Sequence, residues 1–233
     1  MSRWDDIWDA RTLPPQEAST LAYLMAADGL DSGFAGMTED AWASGVRQLC
    51  SAFGLRGSET VFEVGCGAGA FLYELHAGGH RVAGIDRSPA LIAKATEVMA
   101  GGHFAVADAA ELDPDPHFHA VVSVGVFLYF ASEEYASRVI DLMVAKATGV
   151  VALCDLPDLA TRAEDIARRQ ETAGGEEAYR ERYAGLDHRY YDREWVAEAL
   201  RERGLEGVRV EDQVFEGYGN TPFRFNAWGF VPR

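Results

Sequence analysis

Residues 63–70 run Glu63-Val64-Gly65-Cys66-Gly67-Ala68-Gly69-Ala70, between a β-branched run that starts at Thr60 and a helical pattern that starts at Ala70. Glycine lets the backbone turn sharply and approach a ligand closely, and a helix N-terminus presents free N–H groups to that ligand. The order strand, glycine turn and helix therefore predicts a ligand-binding turn in an α/β protein.

Short β-branched runs alternate with helical patterns after this turn, which predicts a parallel sheet with crossover helices. The last two predicted strands, Val208 to Phe215 and Arg224 to Val231, are separated by too few residues for a crossover helix, so they should pair antiparallel. The other predicted strands are Thr60 to Val64, Arg81 to Ile85, His103 to Val106, Ala120 to Val124 and Gly149 to Cys154. The predicted helices between and after them are Ala70 to Ala77, Pro89 to Ala100, Glu133 to Ala147 and Asp192 to Arg203.

Three helical patterns precede the first strand: Arg3 to Ala10, Pro15 to Ala27, and a third that Thr38 can cap and that closes near Gly54. Asp28 to Gly36 is rich in Gly and Asp and is expected to be a loop. After the fifth strand, Leu159 to Tyr183 is expected to be helical, with a solvated and ion-paired surface.

Composition limits the partners. The chain has 233 residues, and 37 Asp and Glu against 21 Lys and Arg give a net charge of −16, which repels phosphate backbones and makes nucleic acid an unlikely ligand. Three cysteines without C-x-x-C spacing indicate free thiols in a reducing compartment. No apolar run is long enough for a membrane span, so a soluble protein is expected. Because Met1 to Asp9 also contain no apolar secretory signal, the expected location is the cytoplasm. The expected state is a monomer or homodimer.

The glycine spacing alone leaves two ligands open. Gly65, Gly67 and Ala70 also satisfy the pattern of a dinucleotide-binding turn, with Asp86 placed to bind a ribose. Glu63, however, would face a pyrophosphate unfavourably, and Asp108 after the third strand suits an adenine amino group. The sequence therefore favours a nucleoside that carries a positive centre and no phosphate.

Four segments resemble the successive motifs of class I S-adenosylmethionine-dependent methyltransferases: Val61 to Phe71, Val82 to Ser88, Val106 to Ala109 and Ala120 to Phe130. The resemblance implies a Rossmann-like α/β fold with seven strands in the order 3-2-1-4-5-7-6 and strand 7 antiparallel. It also implies one domain over 1–233, made of a helical cap (1–57), a cofactor-binding core (58–158), a lid-like helical insertion (159–190) and a last helix with the hairpin (191–233). Later segments, such as His188-Arg189-Tyr190-Tyr191, resemble small-molecule methyltransferases of the methyltransferase-11 kind.

The resemblance also implies how S-adenosylmethionine binds. Glu63 would lie near the methionine ammonium, Asp86 would bind the ribose hydroxyls, and Asp108 would bind the adenine amino group. The full predicted cofactor set is Glu63, Gly65, Cys66, Gly67, Asp86, Arg87, Asp108, Ala109, Ser123 and Val124.

Acceptor residues are expected beyond the carboxyl ends of the strands, where open α/β sheets bind ligands. The predicted substrate-binding residues are Trp8, Tyr23, Phe127, Tyr129, Tyr190, Tyr218, Asn220 and Arg224. His188 is the leading candidate for a catalytic base, followed by Tyr191 and Asp155. His117 and His119 have no evident third ligand, so no metal is predicted.

These observations predict methyl transfer to an oxygen or nitrogen atom of a small molecule in specialised metabolism, with carbon methylation still open. Two alternatives remain at this point. One is an NAD(P)-dependent reductase that uses the same glycine turn, and the other is a non-catalytic module that binds S-adenosylmethionine.

Overall fold

The computed structural model of the protein describes residues 19–30, 36–184 and 186–232. The predicted helix Arg3 to Ala10 and the candidate Trp8 lie outside these residues. The described helices are α1 (Thr20–Ala27), α2 (Glu39–Ala52), α3 (Ala70–Ala77), α4 (Pro89–Val98), α5 (Glu133–Lys146), α6 (Arg162–Ala173), α7 (Glu176–Arg182) and α8 (Arg193–Glu202). None of these helices is both long and apolar enough to cross a membrane.

The strands are β1 (Thr60–Val64), β2 (Arg81–Asp86), β3 (His103–Val106), β4 (Phe118–Val124), β5 (Ala147–Pro157), β6 (Glu206–Asp212) and β7 (Arg224–Phe230). They form one sheet in the order β3-β2-β1-β4-β5-β7-β6. The first five strands pair in parallel, whereas β7 pairs antiparallel with both β5 and β6. The predicted fold class is confirmed. Because β7 is antiparallel, its first residue lies at the edge where the parallel strands end.

The sheet is buried on both faces, because alternate residues of its central strands enter two different apolar clusters. Val61 of β1 packs on the face that α1 to α4 cover, and Phe62 packs on the face that α5 and α8 cover. Val121 and Val122 of β4 divide in the same way. This two-sided core holds the strand ends rigidly at one edge.

Two predictions for the helical segments need correction. The helix predicted from Pro15 begins at Thr20, because Ser19 has an extended backbone and its Oγ accepts a hydrogen bond from the N–H of Ala22 at 3.0 Å. The segment after β5 contains two helices, since Gly174 and Gly175 both have positive φ and separate α6 from α7. The predicted cap Thr38 is confirmed by its hydrogen bond from the N–H of Ala41.

Candidate functional site

A cavity of about 540 Å³ lies at the edge where the parallel strands end. The glycine turn after β1 and the turns after β2, β3 and β4 line one part of it, and residues of β5, α6 and the start of β7 line the other. This is the crevice in which open α/β sheets bind their ligands.

Two carboxylates hold the glycine turn. The carboxylate of Asp28 accepts hydrogen bonds from the N–H groups of Ala68 at 2.6 Å and Ala70 at 3.0 Å, at the N-terminus of α3. Asp86 Oδ2 accepts one from the N–H of Gly67 at 2.9 Å. The turn needs glycine because Gly67 has a φ of +53°, where a side chain would also meet Asp28. Asp28 was not predicted, and only its place in an Asp-rich loop hinted at a role.

Glu63 is buried at the end of β1, and its Oε2 has no hydrogen-bond partner in the part of the chain that the structure describes. Burial raises the pKa of this carboxyl well above its usual range, and the negative charges of Asp28 and Asp86 raise it further. A buried acid among other acids is stabilised in its charged form by a cation. This end of the cavity is therefore suited to a positively charged ligand.

The turns after β2 and β3 carry two further carboxylates. Asp86 Oδ1 accepts a hydrogen bond from the N–H of Ser88 at 2.8 Å. Asp108 Oδ1 accepts hydrogen bonds from the N–H of Ala110 and from the hydroxyl of Tyr135, while its Oδ2 lies 3.6 Å from Arg87 Nε. Asp108 thus caps a short turn and still presents an oxygen near the cavity.

Asp155, near the end of β5, has a φ of +59°, a backbone conformation that is rare outside glycine. Its N–H donates to Asn226 Oδ1 at 3.0 Å, which fixes the strained backbone. Its carboxylate accepts hydrogen bonds from Gln213 Nε2 at 2.9 Å and from the hydroxyl of Tyr218 at 3.1 Å. Strained residues of this kind cluster at functional sites, and Asp155 lines the cavity.

The helix α6 contributes a buried ionic cluster that sequence analysis missed, since a solvated surface was expected there. Asp165 is fully buried, and both its oxygens lie 3.1 Å from Nε of Arg169, which is also buried. Asp165 also accepts hydrogen bonds from the hydroxyl of Tyr190 at 2.8 Å and from Arg168. Charge alternation along a helix does not reveal which charges face the domain, so the sequence held no signal for this cluster.

His188 lines the cavity beside this cluster, and its ring packs edge-on against that of Tyr129 at 5.7 Å between centroids. Burial and the positive charges of Arg169 and Arg224 lower the pKa of His188 to about 3. The imidazole is therefore neutral at physiological pH and is able to accept a proton.

The structure brings most of the predicted site together. All members of the predicted cofactor set except Ser123 line the cavity. Ser123 is fully buried, and its hydroxyl donates to the carbonyl of Val64 at 2.9 Å. Of the predicted acceptor and catalytic residues, Tyr129, Asp155, His188, Tyr218, Asn220 and Arg224 line the cavity.

Other predicted residues lie away from the cavity. The fully buried Tyr191 donates its hydroxyl to the carbonyl of Phe127 at 2.8 Å, so both of these residues hold the turn after β4. Tyr190 donates to Asp165, and the partly buried Tyr23 of α1 packs against the apolar core. The structure thus gives Tyr191 a structural contact where a catalytic role was expected.

The chain was compared with known proteins. A family model described as "Methyltransferase domain" matches residues 61–146. Among curated proteins, none matches the chain.

Three solved structures with similar folds are distant from this chain in sequence. Magnesium protoporphyrin IX methyltransferase (ChlM) from Synechocystis PCC 6803, solved with bound S-adenosylmethionine, is 16% identical with a TM-score of 0.59, over 99% of this chain and 90% of that one. The N-methyltransferase NodS from Bradyrhizobium japonicum WM9 is 21% identical with a TM-score of 0.57, over 83% and 96%. An S-adenosylmethionine-dependent methyltransferase from Clostridium acetobutylicum ATCC 824 is 12% identical with a TM-score of 0.64, over 89% and 98%.

The family match covers the strands and turns that form the acidic end of the cavity. The strand order and the antiparallel β7 agree with the fold that the sequence motifs implied. Residues 61–146 therefore match a methyltransferase domain, within a fold that is shared with solved S-adenosylmethionine-dependent methyltransferases.

Proposed function

We propose that the enzyme methylates an oxygen or nitrogen atom of a small molecule that binds inside the cavity, with a carbon atom as the remaining option. The observation that carries this proposal is the continuity of the cavity, which joins the acidic glycine turn to the buried polar groups of β5 and β7. Its volume of about 540 Å³ is in the range of small-molecule sites. Asp155, Asn220 and Arg224 are all buried there, which favours an enclosed acceptor over a polymer.

The acidic end is the proposed cofactor site. S-adenosylmethionine, when bound, supplies an electrophilic methyl group on a positively charged sulfur. Glu63 would balance the positive charge of the methionine end, and Asp86 would accept hydrogen bonds from the ribose hydroxyls with the lone pairs that Gly67 and Ser88 leave free. Asp108 would bind the adenine amino group. The orphaned Oε2 of buried Glu63 supports this assignment.

The chain itself would orient the acceptor and exclude water. Positioning of this kind can lower the activation free energy by about 7–11 kcal/mol. His188 would accept the proton of an acceptor that must lose one, because it is neutral and lines the cavity. Its low pKa makes it a weak base, so we expect positioning to contribute more than proton transfer.

Replacement of His188 by alanine should leave the affinity for S-adenosylhomocysteine unchanged and lower kcat by about 100-fold for an acceptor that must be deprotonated. Calorimetry and steady-state kinetics measure the two quantities. His117→Ala, in an exposed loop, is the matched control. Equal kcat for wild type and His188→Ala would exclude His188 as the base.

Affinity for S-adenosylmethionine should rise with pH, since a cation binds the ionised form of Glu63 more tightly than the protonated form. The pKa of this carboxyl is raised by burial in the free protein, so the affinity should continue to rise at pH values above 4.5, and titrations at a series of such pH values should detect it. Glu63→Gln should bind more weakly and flatten this dependence. The same slope in both proteins would assign the titration to another group.

The direct test of the proposed function has two stages. Calorimetric titration should show binding of S-adenosylhomocysteine and none of NADH or NADPH, whereas the reverse would support the reductase alternative. A panel of phenols, alcohols, amines and hydroxy acids is then incubated with S-adenosylmethionine, and mass spectrometry detects products that have gained a methyl group. Cofactor binding without any methylated product would favour the non-catalytic module.

We also propose a cytoplasmic enzyme of specialised metabolism, built as one domain with residues 159–190 as a lid-like insertion. The support is the resemblance of the later segments to small-molecule methyltransferases and, for the compartment, the three free cysteines.

A further inference from the structure

Arg224, the first residue of β7, is a buried guanidinium with few partners. It is 2% exposed, and its Nε has no hydrogen-bond partner among the described residues. The nearest carboxylate oxygens, Asp155 Oδ1 to Nε and Asp165 Oδ2 to Nη1, are each 3.6 Å away, and the carbonyl of Phe223 is 3.4 Å from Nη1. A buried guanidinium in this state lacks the acceptors that would offset its desolvation.

The neighbouring acids are already occupied by other donors. Asp165 is bound by Arg169, Arg168 and Tyr190, and Asp155 is bound by Gln213 and Tyr218. Both carboxylates form ion pairs with Arg224 at 3.6 Å, but neither accepts a hydrogen bond from it. The protein therefore places a buried cation against the cavity wall with one nitrogen that has no hydrogen-bond acceptor among the described residues.

The position suits an acceptor molecule. Arg224 and the glycine turn are at the same edge of the sheet, and β1 and β7 are separated by three strand spacings, about 14 Å. The methyl donor is proposed to bind at the glycine turn, so the space between that turn and Arg224 is of the size of a small organic molecule.

We propose that the acceptor carries a carboxylate group, which binds Arg224 in the cavity while the atom to be methylated points towards the glycine turn. This inference rests on the proposed function and names the substrate class for it. A carboxylate supplies the hydrogen-bond acceptor that Arg224 Nε lacks among the described residues, and its two oxygens match the donor geometry of a guanidinium.

The test uses the complete protein saturated with S-adenosylhomocysteine, whose own titration is a separate check of the proposed function. Benzoate is titrated as the probe, with benzamide as its uncharged counterpart and phenyl phosphate as a dianion of similar shape. Benzoate should bind about tenfold or more tightly than benzamide. Equal affinities for benzoate and benzamide would overturn the proposal. Tighter binding of phenyl phosphate than of benzoate would also overturn it, and would indicate an acceptor that carries a phosphate group.

Variants then locate the site. Arg224→Gln should lose the preference for benzoate over benzamide and keep its affinity for S-adenosylhomocysteine. Arg162→Gln removes an exposed cation from the start of α6 that does not line the cavity, and it should behave as wild type. If Arg224→Gln does not fold, Arg224→Lys takes its place. This variant keeps the charge but loses the planar guanidinium group, and it should bind benzoate several-fold more weakly than wild type does. An unchanged preference for benzoate in either folded Arg224 variant would overturn the assignment.

Discussion

Replacing Asp86 with alanine is expected to weaken the binding of S-adenosylmethionine by about 100-fold or more. A hydrogen bond to a charged group contributes about 1.5–3 kcal/mol to the free energy of binding. Asp86 is proposed to accept two such bonds from the ribose hydroxyls. The variant also removes the oxygen that accepts from the N–H of Gly67, so the glycine turn loses one of the two carboxylates that hold it. Calorimetric titration of the variant and of wild type measures the difference.

Two controls make this result specific. Asp212→Ala removes an exposed carboxylate that also ends a strand but does not line the cavity, and its affinity should equal that of wild type. Asp86→Asn keeps one acceptor oxygen and should lose less affinity than the alanine variant. A folded Asp86→Ala protein that binds the cofactor within a few-fold of wild type would remove Asp86 from the proposed cofactor site.

Replacing Asp165 with alanine is expected to lower the free energy of unfolding by about 3–5 kcal/mol, because removal of one partner leaves buried charges uncompensated. Asp165 is the carboxylate that accepts from Arg169, Arg168 and Tyr190, and it lies 3.6 Å from Arg224. For a chain of this length the loss corresponds to a fall of about 6–20 °C in the melting temperature. Differential scanning calorimetry provides the measurement.

The matched control for this variant is Glu164→Ala, which removes an exposed acid from the adjacent position of α6. Its melting temperature should change by no more than about 2 °C, as expected for a surface position. Asp165→Asn keeps the shape and one acceptor oxygen, so its melting temperature should lie between those of Asp165→Ala and Glu164→Ala. If Asp165→Ala melted at the same temperature as Glu164→Ala, the cluster would not contribute to stability.

The sequence predicted that the residues of the proposed cofactor site would line one cavity, because each of them lies in a short local motif. The glycine turn, Asp86 and Asp108 each follow directly after a strand, and the ends of parallel strands meet at one edge of the sheet. The acceptor side was predictable only in part. Arg224 and Tyr218 were found from the hairpin, but Arg169 and Asp165 were not, since a helix pattern does not show which of several charges is buried.

The residues by themselves predicted the ligand-binding turn and the antiparallel pairing of the last two strands, because these depend on periodicity and on residues a few positions apart. The strand order and the class of cofactor were implied by the resemblance of four segments to class I S-adenosylmethionine-dependent methyltransferases. Only the tertiary structure decided that Tyr191 supports a turn, that Asp28 holds the start of α3, and that Nε of the buried Arg224 has no hydrogen-bond partner among the described residues. The hydrogen bonds of Tyr191 and Asp28 join residues 40 or more positions apart. The hydrogen bonds of Arg224 depend on which donors bind the carboxylates beside it. Tertiary packing decides both, and a local sequence pattern does not show it.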